Sequence, residues 1–135
     1  MFKVESFDDD LLADELFDEI STDIQKMAGY ASAYVVKNSP VDTGLFKGNW
    51  NVSINQEYDG QFINEDPSGT ETLAGMMLDI GGFNLKEDNI IFIQNSVMDI
   101  ESGNLYAPTV GWDFTTQTAD SLVSGAVIVA AEAIN

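Results

Sequence analysis

The sequence predicts an α+β domain in which a long N-terminal helix and a C-terminal helix pack on a small antiparallel β-sheet. Three observations point there. Apolar residues recur at helical spacing through the first third of the chain and again at its end. Strand-like patterns are few and confined to the middle, so helices flank a small sheet. The 135 residues, 44% of them hydrophobic, suit one domain over 1–135 with one core.

The first helix is the clearest element. Leu12, Leu16, Ile20, Ile24, Met27, Ala31, Tyr34 and Val35 follow one another at short helical steps and form an apolar stripe. Asp14, Glu15, Asp18, Glu19 and Asp23 fill the outer faces. Ser6 with Asp9 has capping-box spacing. Early acids and the later Lys26 and Lys37 match the helix dipole. Pro40 bars helical geometry at Ser39 and stops the run. Residues 11–37 make a rod of roughly 40 Å at 1.5 Å per residue. That is long for a small domain, and part of it is expected to meet a neighbouring subunit.

In the next segment Phe46, Gly48, Trp50, Val52 and Ile54 alternate with Lys47, Asn49, Asn51, Ser53 and Asn55, the pattern of a half-buried strand. Residues 58–72 are rich in Gly, Asp, Asn and Pro and read as a mobile loop. Residues 73–80 read as two helical turns stopped by Gly81 and Gly82. Residues 89–95 are apolar on both faces, which predicts a central strand. A polar loop follows over 98–104, then a strand over 105–114 interrupted at Pro108 and Gly111. Thr118 or Ser121 can cap a final helix. From Ser121 onward its only charged side chain is Glu132, so it is expected to be well buried or held in an interface.

Composition removes several functions. Without cysteine there is no disulfide and no thiolate metal site. Without histidine the usual general base is absent, and a Ser-His-Asp or Cys-His machine is excluded. Five lysines and no arginine stand against 23 acids, for a formal net charge of -18. Tight binding to nucleic acid needs clustered cations to displace counterions, so none is expected. No apolar run is long enough to span a membrane, and the N-terminus is acidic where a signal peptide is basic. A soluble chain of cytoplasmic origin is expected. No segment has the oxygen pattern of an EF-hand loop, and the acids between Glu5 and Asp23 read as a solvated helix face. No catalytic, metal or cofactor residues are assigned.

The joint between the first helix and the first strand holds Pro40, Val41, Asp42, Thr43 and Gly44. Asp-Thr-Gly is also the tripeptide that carries the catalytic aspartate of aspartic proteases. A chain this short would have to work as a retroviral-type homodimer in which each copy supplies Asp42. Against this, Leu45 follows the glycine where those enzymes place a small residue, and the motif is entered from a helix through Pro40. The favoured reading makes Pro40, Asp42, Thr43 and Gly44 a structural turn, with Asp42 and Thr43 bonding backbone and Gly44 supplying an unusual dihedral. Trp50, Tyr106, Pro108 and Trp112 are candidate core or subunit-interface anchors. An acidic DNA-mimic inhibitor is a further alternative, supported by the overall charge.

Taken together these residues resemble the neck or tail-completion (head–tail joining, minor tail) family of long-tailed bacteriophages. The motifs are Pro40-Val41-Asp42-Thr43-Gly44 after a long helix, then Trp50-Asn51-Val52-Ser53, Ile90-Ile91-Phe92-Ile93-Gln94-Asn95-Ser96, Tyr106-Ala107-Pro108 and Gly111-Trp112. Lys47 stands where that family has a basic residue after the turn. The segment 97–105 is longer than the family pattern, and the stretch from Tyr-Ala to Gly is shorter. The resemblance implies a homo-oligomeric ring in the virion at the head–tail interface, assembled in the host cytoplasm. Its neighbours would be portal or adaptor proteins and tail proteins. DNA would pass through the channel without tight binding, which the acidity suits physically.

Overall fold

The computed structural model describes residues 9–41, 44–58, 64–96 and 113–134. In order these hold helix α1 (Asp9–Asn38), a 3-10 turn (Lys47–Asn49), strand β1 (Trp50–Ile54), helix α2 (Thr70–Gly81), strand β2 (Ile91–Asn95) and helix α3 (Asp113–Glu132). The architecture is α+β: among the described residues, three helices and a two-stranded antiparallel sheet surround one core.

Helix α1 organises the domain, with α3 and α2 both packed against it and β1 lying against α2. The core takes Ala28, Ala31, Val35 and Val36 from α1, Trp50 and Val52 from β1, Met76 and Ile80 from α2, and Leu122 and Ala126 from α3. Helix α3 approaches α1 closely at Gly125, where an added Cβ would overlap the Tyr34 ring. Each fully buried Val, Leu or Met contributes about 1.5–3 kcal/mol. This cluster therefore holds the domain, because a two-stranded ribbon is marginal alone.

The strands pair from Trp50 with Asn95 to Ile54 with Ile91. The ladder is extended at both ends by Ser96 N–H to Asn49 O at 2.9 Å and Asn55 N–H to Ile90 O at 2.9 Å. After α2 the chain is tied back to α1. Gln25 Nε2 donates to Phe83 O at 2.7 Å, and Leu85 N–H donates to Ser21 Oγ at 2.9 Å. Lys86 Nζ meets Asp14 at 3.3 Å and Asp18 at 3.7 Å.

Several expectations need correction. The expected strand from Phe46 is a 3-10 turn as far as Asn49, because Gly48 N–H and Asn49 N–H bond back to Gly44 O and Phe46 O. Lys47 and Asn49, placed by alternation on the polar outer face, are buried. Helix α2 starts at Thr70, inside the expected loop, and Gly82 closes it with an ordinary right-handed φ of -83°. Strand β2 pairs only with β1 among the described residues and is half-buried throughout, so it is not central there. Asp113 and Phe114 belong to α3, which begins before Thr118. The capping pair of Ser6 with Asp9, the loop over 98–104 and most of the strand over 105–114 lie outside the described residues.

Candidate functional site

The joint is built from the end of α1 outward. Ser39 is buried, and its hydroxyl donates to Val35 O, closing the last helical turn. The same oxygen accepts from Trp50 Nε1 at 2.7 Å, so one hydroxyl ties the end of α1 to the start of β1. Trp50 is buried, with Phe46 edge-on to it at 5.9 Å between ring centroids. It is a core anchor of the domain. Pro40 and Val41 are exposed. Asp42 and Thr43 lie outside the described residues, as do Tyr106, Pro108 and Trp112.

Gly44 re-enters the domain with φ +89°, a conformation that disfavours a side chain. A Cβ there would also meet Pro67 Cδ at 2.7 Å. Its carbonyl accepts from Gly48 N–H at 2.8 Å and from Asp66 N–H at 3.1 Å. One glycine thereby fixes both the 3-10 turn and the segment leading to α2.

A polar node lies beneath this turn. Asn49 is fully buried, and its Nδ2 donates to Leu45 O and to Asn64 O. Asn64 Nδ2 answers with a bond to Gly48 O at 2.8 Å. Asn95 Nδ2 reaches Phe46 O at 2.8 Å, and Asn51 Nδ2 reaches Ser96 Oγ at 2.8 Å. The amides of Asn49, Asn64 and Asn95 donate to carbonyls that a tight, irregular backbone leaves unmet.

Asp66 is the centre of the adjoining segment. Its Oδ2 accepts from Thr72 N–H at 2.9 Å and Thr72 Oγ1 at 2.7 Å. Its Oδ1 accepts from Gly69 N–H and Ser68 Oγ, each at 3.2 Å. It thus caps the positive end of α2. Burial works to raise its pKa, but the hydrogen bonds, led by that from Thr72 N–H, outweigh it and hold the carboxyl below its ordinary value. A carboxylate saturated by four donors and kept ionised is a structural cap, unsuited to proton transfer.

Beside the node, an open cleft of about 430 Å³ runs between β1 and α2, with Trp50 and Met76 at its base and Glu71 and Asp79 on its rim. Among the described residues no group of three or more acidic side chains could hold a metal ion. None of the described helices is long and apolar enough to cross a membrane.

Sequence reasoning placed Pro40 and Gly44 in the joint and Trp50 apart from it as an anchor, and missed Asp66, Asn49 and Asn64. The start of α2 had a readable signal. Ser68 and Glu71 have S-x-x-E spacing, one residue from the observed cap at Gly69. No local pattern marks Asn49 or Asn64, because their partners are backbone groups brought in from elsewhere in the chain. No family model, curated protein or solved structure matches this chain.

Proposed function

We propose that the protein is a structural component of a long-tailed phage head–tail connector, a neck or tail-completion ring through which DNA passes. The observation that carries the reading is the ordered pair of motifs. Pro40-Val41-Asp42-Thr43-Gly44 follows a long helix and leads to Trp50-Asn51-Val52-Ser53, which falls on β1. Two features support it. The motif holding Asp42 is entered from α1, which ends at Asn38, and leads into a 3-10 turn, a setting for a joint. The described surface also leaves Leu16, Phe17 and Ile20 of α1 exposed, together with Val123, Val127 and Ile128 of α3, as a subunit awaiting neighbours would. The portal or adaptor and tail proteins are the proposed neighbours, and the protein acts without catalysis.

The test is made on particles. Phage lacking the protein should accumulate filled heads and separate tails, or heads that lose DNA. Normally joined, infectious particles would remove the assignment. Heads with uncleaved proteins, together with pepstatin-sensitive peptide cleavage abolished by Asp42→Asn, would replace it with the homodimeric protease.

A further inference from the structure

One edge of the sheet is open beside a cleft. In the ladder, Ser96 N–H bonds to Asn49 O and Asn55 N–H to Ile90 O, so Asn51 and Ser53 between them also turn their backbone groups to β2. The backbone groups of Trp50, Val52 and Ile54 face the other way and make no hydrogen bond among the described residues. The 430 Å³ cleft runs along that edge. Trp50 and Asn51 point to opposite faces of the sheet, yet both line the cleft, and no residue of β2 does. Its far wall is α2, where Glu71, Gly75 and Asp79 recur at steps of four. Gly75 leaves a gap between the two carboxylates, since an added Cβ there would meet nothing within 4 Å.

We infer that this cleft takes an extended, basic segment of another protein as a third strand on β1. The backbone sets the shape of the occupant. Outward N–H and C=O groups at alternate residues are met by the same groups of a second extended chain. Charge sets its chemistry. Glu71 and Asp79 stand on the rim, no lysine lines the cleft, and neither acid forms an ion pair among the described residues. The base of Trp50 and Met76 is apolar and suits the stem of a long basic side chain.

Spacing refines the choice. Glu71 and Asp79 are eight residues apart, about 12 Å along the helix at 1.5 Å per residue. In an extended chain, side chains four residues apart share a face and lie about 13 Å apart. Two basic residues at that spacing can therefore meet both carboxylates, with the side chain midway between them over Gly75. This chain has no arginine, and no two of its lysines are closer than the ten residues between Lys37 and Lys47. A second copy cannot supply such a segment, so the occupant is a different protein.

The test uses the full chain and a capped peptide of sequence Arg-Thr-Val-Thr-Arg, followed residue by residue by amide hydrogen exchange at low salt. In the free protein the Trp50 and Val52 amides should exchange faster than those of Asn51 and Ser53. Peptide should slow Trp50 and Val52 and leave the other two as they were. Glu71→Gln with Asp79→Asn should weaken binding about five- to ten-fold, and a peptide with glutamates for its arginines should not bind. Gly75→Leu, which fills the gap without touching the core, should abolish binding while the fold is kept. Binding that leaves the Trp50 and Val52 amides unchanged would overturn the inference, as would binding that survives these substitutions. No binding at millimolar peptide would do the same. Protection of those amides in the free protein would give the edge to a second copy if it grew with concentration, and to the chain's own residues if it did not; either result overturns the inference. The site does not rest on the head–tail reading: protein that binds the peptide but is absent from particles keeps the site and loses that role, and protein in joined particles that ignores the peptide does the reverse.

Discussion

The joint around Gly44 and the outer face of α3 are opposites. In the joint, polar groups are buried and bonded to one another: Ser39 to Trp50, Asn49 to Asn64, Asp66 to the start of α2. On α3, apolar groups face outward, with Val127 and Ile128 more than half accessible. A buried polar group that loses its bond is costly, so the joint tolerates little further change, with Asn49 Oδ1 and Asn51 Oδ1 already without a hydrogen-bond partner among the described residues. Exposure of apolar groups costs the folded domain little relative to the unfolded chain, so the outer face of α3 tolerates much. One region sets the shape of the subunit; the other is open to a second function.

The largest effect should come from breaking the joint at its glycine. In Gly44→Val a β-branched side chain would be forced to positive φ and into Pro67. A loss of about 3 kcal/mol or more is expected from strain and overlap together. Chemical denaturation measures it, and a loss under about 1 kcal/mol would mean that the joint is slack.

Asp66→Ala should come next, at about 2 kcal/mol, since it strips a helix cap and leaves buried donors without acceptors. The same residue makes a prediction in pH. Its folded pKa lies below the ordinary 3.8. Its stabilisation is therefore complete above the unfolded value and is lost as pH falls through the lower folded value. Relief of the -18 charge works the other way, since protonation toward the pI near 4.1 reduces repulsion. Wild type should hold or gain stability on acidification to about pH 4, then lose it. Asp66→Asn should flatten that final fall. An unchanged fall in the variant would show that other carboxylates drive it.

What the sequence made legible follows the range of the interactions. The stripe through Ile24, Met27, Ala31 and Val35 predicted α1 because a helix repeats its burial every few residues. Pro40 ended it for a reason confined to neighbouring residues. The alternation at Trp50 and Val52 located β1. The same alternation failed at Asn49, which is buried because residues 64–66 lie over it, a contact no local pattern records. The stripe also overstated burial at Leu16 and Ile20, which periodicity assigns to a core that the described residues do not extend to. Of the candidate site, Gly44 and Trp50 were legible from the punctuation of the motif. The role of Asp66 as the cap of α2 was not, because it reads in sequence as part of a turn.

A finer probe of the joint is Trp50→Phe. It keeps most of the ring's packing on Phe46 and deletes the bond from Nε1 to Ser39 Oγ. A loss of about 1 kcal/mol is expected from the bond, with the smaller ring adding to it. Ser39→Ala should cost a similar amount. In the double variant the two losses should fall short of additive, since both delete one shared bond. Full additivity would mean that this bond does not couple helix to strand.

The smallest effect on folding should come from the outer face of α3, and it separates the two regions most cleanly. Val127→Lys places a charge where the native side chain is 64% accessible, so its unfolding free energy should stay within about 0.5 kcal/mol of wild type. A stability loss above about 2 kcal/mol would instead place Val127 in a packed interior. The outer face of α3 would then be a second buried surface of the domain, and the contrast with the joint would disappear.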